Sequence, residues 1–178
     1  MHECCTVPTN QIMANEHKPD GVCCLVSEVT EAPPSADCPK SGTSSRKIQH
    51  RTVEHLVKPE QAGEIIDTQY YYCAEPDCQI VYFAGEGVRS FTTDDLKVKV
   101  FAKDPGGDVD VCYCYDWTRD RIKSELAETG QSSASREIAE KVRASLCECD
   151  IKNPKGTCCL GDVNKAVREA KGALAAEQ

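Results

Sequence analysis

Aromatic residues are scarce in this chain, 6% of 178 residues with a single tryptophan, and only 40% of the residues are hydrophobic. That supply is thin for an apolar core, so another kind of staple is needed to hold small domains together. No apolar run approaches the ~20 residues of a membrane-spanning helix, and we expect no insertion into a bilayer. The opening stretch "MHECCTVPTNQIM" has neither the basic end nor the apolar centre of a secretion signal. Blocks rich in lysine and arginine are also missing. The formal charge is −8 and the pI about 5.0, which makes nucleic acid a poor partner. No general-base constellation is visible, so no catalysis beyond a metal-reducing activity is expected.

Sulfur is abundant. There are thirteen cysteines, an odd number that rules out complete intramolecular pairing. An untargeted chain points to the reducing cytoplasm, where clustered cysteines more often bind metals or do redox work than form disulfides.

Along the chain the cysteines fall into three groups. Residues 1–37 hold Cys4, Cys5, Cys23 and Cys24 amid proline, asparagine, glutamate and serine, which reads as a flexible tail. Three β-like runs follow, Thr68–Tyr72, Gln79–Ala84 and Leu96–Lys103, separated by "EPD" and "GEG" turns. Pro105-Gly106-Gly107 reads as a hinge into the next unit. Beyond Cys114 the period becomes helical. Thr118 can cap a helix carrying Ile122 and Leu126 that stops before Gly130, and Ser135 can cap a second with Ile138, Val142 and Leu146. A third runs from about Cys159, with Val163, Val167, Ala170 and Leu174 on one face. The expected fold class is α+β: a tail over 1–37, a small zinc-ribbon-like β unit over 38–104, and a three-helix unit over 105–178.

Two motifs carry chemistry. Iron–sulfur clusters need converging thiolates and backbone N–H groups aimed at the sulfurs. "VCYCYDW" supplies a C-x-C pair entering a helix, and "CECDIKNPKGTCCLGDV" places four more thiols around an Asn-Pro turn. Pro154 fixes one turn residue and Gly156 permits positive φ, which exposes N–H groups. In the β unit, Cys73 and Cys78 flank an expected hairpin turn, as in a zinc ribbon.

"VCYCYDWTRDRIKSEL…CDIKNPKGTCCLGDV" resembles the N-terminal cluster domain of the CopZ-type copper chaperones, which binds a [2Fe-2S] cluster and zinc and is itself similar to bacterioferritin-associated ferredoxin. The resemblance covers about residues 38–168. It implies Cys112, Cys114 and Cys149 as cluster ligands, with Cys159 as the fourth and Cys158 as the alternative; Cys147 has no counterpart. For zinc it implies Cys38, Cys73 and Cys78. Ser41 stands where the family's second knuckle cysteine would be, so His55, His50 or a tail cysteine is left as the fourth ligand, or the site stays open to water or a soft metal. No M-x-C-x-x-C module of the family's archaeal kind is found in the chain. A copper role would then fall to the open site, a partner or the tail pairs, since thiolates select soft ions such as Cu(I).

The implied function is a cytosolic metallochaperone whose cluster passes single electrons. Its partners would be metal ions and a metal-transporting ATPase or a redox partner protein. Two other classes remain: a plain [2Fe-2S] electron carrier, and a zinc-stabilised interaction module.

Overall fold

A computed structural model describes residues 31–176. The four tail cysteines lie outside them. From Ala32 onward the chain forms one compact unit of mixed α and β structure.

Its first part is a five-stranded antiparallel meander in sequence order. The strands are β1 (Ser35–Asp37), β2 (Ser44–Ile48), β3 (Tyr70–Tyr72), β4 (Ile80–Ala84) and β5 (Ser90–Thr92). Tyrosine, valine, isoleucine and phenylalanine suit β3 and β4, which are buried along their whole length. Successive side chains on a strand point to opposite faces. Tyr70, Tyr72 and Tyr82 accordingly face helix α1 (His50–Leu56), whose Val53 and Leu56 join the same core. Tyr71 and Phe83 stack at 5.6 Å on the opposite side, next to Cys38, Cys73 and Cys78.

Three details depart from the expected pattern. Leu96–Lys103 is not a strand. The sheet ends at β5, where Thr92 and Asp95 close a capping box, and only Leu96 bridges, to Val57. The apolar alternation serves a bent, unpaired segment that drops Leu96 and Val100 into the core. β1 lies within the stretch expected to be tail; it is an edge strand paired Ser35 to Arg46 and Asp37 to Ser44. Pro105-Gly106-Gly107 is held in place: Arg119 donates to the carbonyls of Phe101, Asp104 and Gly106 while its guanidinium covers the Phe101 ring.

The second part begins with a two-stranded ribbon, β6 (Asp110–Cys112) and β7 (Trp117–Thr118). Helices α2 (Arg119–Thr129), α3 (Ala134–Arg143), α4 (Cys149–Lys152) and α5 (Leu160–Ala176) follow. Val111, Trp117, Ile122, Leu126, Ile138 and Val163 make their shared core. Thr118 caps α2 by accepting from Arg121 N–H, and Gly130 ends it at φ 74°. Helix α3 corrects the sequence pattern: Ser135 is inside it, Ser133 is the N-cap residue, and the apolar stripe fails beyond Ile138. Val142 is 37% and Leu146 58% exposed, because the helix stops at Arg143 and Ser145 turns the chain away at φ 54°.

The loop after α4 packs on the sheet. Tyr82 donates its hydroxyl to Pro154 O at 2.8 Å and Arg46 donates to Thr157 Oγ1 at 2.9 Å, while α1 and α4 are joined by Thr52, which donates to Asp150 O at 2.5 Å. Gly156 takes φ 64°, and a Cβ there would lie 3.0 Å from Ile48 Cγ1. No helix among the described residues is long and apolar enough to cross a membrane.

Candidate metal centres

The nine described cysteines are all free thiols. Seven of them are the residues proposed from sequence for zinc and the cluster, and they gather at two places.

The first lies on the outer face of the sheet. Cys38 follows β1, and Cys73 and Cys78 bracket the turn between β3 and β4. Their sulfurs lie within 4.8 Å of one another, all three residues being buried. Cys38 and Cys78 are 3.9 Å apart. Two thiolates on one tetrahedral zinc, at about 2.3 Å each, would be about 3.8 Å apart. The two loops are tied together: Lys40 Nζ donates to Gln79 Oε1 and Thr43 Oγ1 to Glu75 Oε2. Lys103 Nζ reaches in to the carbonyls of Glu75 and Cys78. Burial pushes the Cys38 thiol up, but hydrogen bonds from Ser41 and from the backbone at Ser41 and Lys40 outweigh it and leave the pKa lowered to about 7. Burial raises Cys73.

His55 is elsewhere. It is exposed on α1 with Nδ1 2.7 Å from Arg51 O, and it is not among the converging atoms. His50 faces Ile66 O and Glu54. The side chain that does sit beside the thiols is Ser41, whose Oγ is 3.5 Å from Cys73 Sγ.

The second place is where β6, α4 and α5 meet. Cys112 ends β6, Cys114 lies in the turn before β7, Cys149 opens α4, and Cys159 precedes α5 with its carbonyl accepting from Val163 N–H. Cys114 and Cys149 are 3.8 Å apart; Cys159 lies near enough to Cys112 and Cys149 for each to shift the other's ionisation. The bond from Cys114 holds Cys149 well below the usual thiol range, and the bond with Cys159 lowers Cys112. Their partners Cys114 and Cys159 are pushed up by the same bonds. Thiols packed this closely share protons, and a bound metal would expel them. Backbone N–H groups at Cys114 and Tyr115 lower the Cys112 thiol pKa, and those at Glu148 and Cys159 do the same for Cys114 and Cys149. The N-terminal end of α5 adds positive potential beside Cys159.

Cys158 is exposed and outside this group. Cys147, which had no assigned place in the sequence, contacts Cys149 and Tyr115 at its rim. Sequence spacing could not reveal Lys103, the tether of the zinc-side loop, because it lies 25 residues from the nearest atom that it holds.

Comparison with known proteins bears on the stretch that carries the first site. Residues 35–97, which carry Cys38, Cys73 and Cys78, match the CopZ-type family model described as a zinc binding domain. The copper chaperone CopZ of Archaeoglobus fulgidus is 30% identical over 122 residues, or 68% of this chain and 57% of that protein. The chain thus spans little more than half the length of this relative. The X-ray structure of the A. fulgidus CopZ N-terminal domain matches with a TM-score of 0.60 at 24% identity, covering 73% of this chain and 96% of that one. The chain contains a CopZ-like zinc-binding domain within a CopZ-like fold.

Proposed function

We propose that the protein is a metallochaperone of the reducing cytoplasm that handles copper or another soft metal. It holds zinc on Cys38, Cys73 and Cys78, and a [2Fe-2S] cluster on Cys112, Cys114, Cys149 and Cys159. The observation that carries this reading is the sorting of the thiols into a buried group of three within the zinc-binding family match and a separate group of four.

The donor chemistry fits both groups. Three buried thiols within 4.8 Å of one another, with Cys38 and Cys78 at the spacing of two thiolates on one tetrahedral zinc, suit that metal. Four thiols, Cys114 beside Cys149 and Cys112 near Cys159, suit two tetrahedral irons, and nearby backbone N–H groups are of the kind that tune a cluster's potential. When bound, the cluster supplies one-electron chemistry, including reduction of Cu(II) to the Cu(I) that thiolates carry. The chain's own part is to shield Cys112 and Cys159 in the core while leaving Cys114 half-exposed at the surface. That half-exposed edge also supports the electron-carrier reading, in which the partner is a redox protein and no cargo metal is bound.

Anaerobic purification followed by metal and sulfide analysis tests the proposal. About two irons per chain with matching sulfide and visible absorption, together with about one zinc, are expected. A colourless protein with no sulfide overturns the cluster assignment. A Cu(I) titration that finds no tight site leaves the electron carrier and removes the metallochaperone.

A further inference from the structure

The zinc site has three converging sulfurs, and among the described residues no histidine, cysteine or carboxylate joins them as a fourth donor. We propose that the Ser41 hydroxyl is that fourth ligand, which makes this a three-thiolate, one-hydroxyl site with an exchangeable corner. The inference rests on the zinc reading above and goes beyond it by naming the donor and its consequence.

Distance is the first argument. A tetrahedral zinc with sulfur at about 2.3 Å and oxygen at about 2.0–2.1 Å separates the two donors by about 3.5–3.6 Å. Ser41 Oγ stands 3.5 Å from Cys73 Sγ. The loop is built to keep it there. Gly42 adopts φ 69°, its N–H bonds Cys38 O at 2.8 Å, and Cys38 N–H bonds Thr43 O at 3.0 Å, so the turn closes tightly around Ser41. Thr43 N–H donates to Ser41 Oγ at 3.4 Å, which orients the oxygen and leaves a lone pair for a metal.

Charge is the second argument. Three thiolates and a neutral hydroxyl around Zn²⁺ carry one net negative charge, whereas four thiolates would carry two. Lys40 Nζ is engaged by Gln79 Oε1, and among the described residues Lys103 is the cation whose ammonium reaches the carbonyls of Glu75 and Cys78. It is placed to balance the smaller charge. The alternative fourth donor among the described residues, His55, is exposed and bonded to Arg51 O.

A hydroxyl is a hard, weakly held ligand for a centre otherwise made of soft thiolates. It can leave as an incoming thiol arrives, so zinc at this site should exchange quickly for a structural zinc.

Zinc K-edge absorption spectroscopy on the full-length protein reads the donor set, and transfer of zinc to a chromophoric chelator reads the rate. The expected set is three sulfurs and one oxygen at about 2.0–2.1 Å. Ser41→Cys should convert it to four sulfurs and slow zinc release at least about tenfold, the low end of what ligand-sphere changes produce. Ser41→Ala should speed release. Four sulfurs in the wild type, or the outer-shell scattering of an imidazole, overturns the assignment while leaving the zinc site standing. So does a release rate that Ser41→Ala leaves unchanged. A protein purified without zinc overturns the zinc reading itself, and this inference with it.

Discussion

Cys158 and Cys159 are neighbours of identical chemistry, yet the first is exposed and the second is buried at 1% exposure among three other thiols. What separates them is the start of α5, which turns Cys159 inward and Cys158 out. Cys159→Ser should therefore strip or badly destabilise the cluster, since an oxygen ligand replaces a soft thiolate. Cys158→Ser should leave the visible spectrum and iron content unchanged; the reverse pattern would exchange the two assignments. At this scale much was legible. The C-x-C and "NPKGTCC" stretches carry the resemblance that names Cys112, Cys114, Cys149 and Cys159, and these lie where β6, α4 and α5 meet, with turns at Pro154 and Gly156 constraining the chain locally. His55 was suggested by nearness in sequence alone, and helix α1 points it away from the thiols. Ser41, first noticed as a gap in a cysteine pattern, turned out to lie beside Cys73.

Elements were less legible than residues, and for a physical reason. β1, β3 and β5 are three residues long, too short for an alternation to register, and β2 is the polar run "SSRKI". Leu96–Lys103 has the alternation of a strand but no partner beyond Leu96. Helix α2 was read correctly because its ends are marked by Thr118 and Gly130. The junction between α2 and α3 was missed, since it depends on a contact across eight residues: Glu125 accepts from Ser133 N–H at 2.9 Å and from Ser133 Oγ at 2.7 Å. Burial pushes the Glu125 carboxyl up, but the bonds from Ser133 and Ser132 outweigh it and hold the pKa below the ordinary value. A depressed folded pKa means that the contribution is present above the ordinary glutamate range and lost as pH falls through the folded value. Glu125→Gln should therefore cost about 0.5–1 kcal/mol at neutral pH, a modest figure for a half-exposed group. It should also flatten the acid side of the stability curve. Thermal melts of both proteins from neutral pH to below pH ~4 check this; parallel curves would mean that the carboxylate does not hold the junction.

At the scale of the whole molecule, the proposal assigns separate metals to the two thiol groups. Cys73→Ser should release zinc and loosen the sheet, since small zinc units draw much of their folding free energy from the metal. The visible spectrum should survive at low temperature. Loss of iron and zinc together would mean that the two groups act as one site. A second prediction concerns Cys4, Cys5, Cys23 and Cys24. If they capture soft metal, a chain beginning at Glu31 should retain iron and zinc but lose additional tight Cu(I) binding in a competition titration. The cut belongs there because Pro33 O and Pro34 O accept from Tyr71 OH and Lys47 N–H. Equal copper stoichiometry in both chains would clear the tail of this role.

The docking of the Asn153–Thr157 loop on the sheet has a calorimetric meaning. Tyr82 and Gly156 place atoms of the loop that joins Cys149 to Cys159 directly against β4 and β2. Melting the sheet would strip that loop of its support, and melting the helices would uncover Tyr82. Heat should then produce one cooperative transition in which colour and sheet structure disappear together, and a fragment comprising either half should melt well below the intact chain.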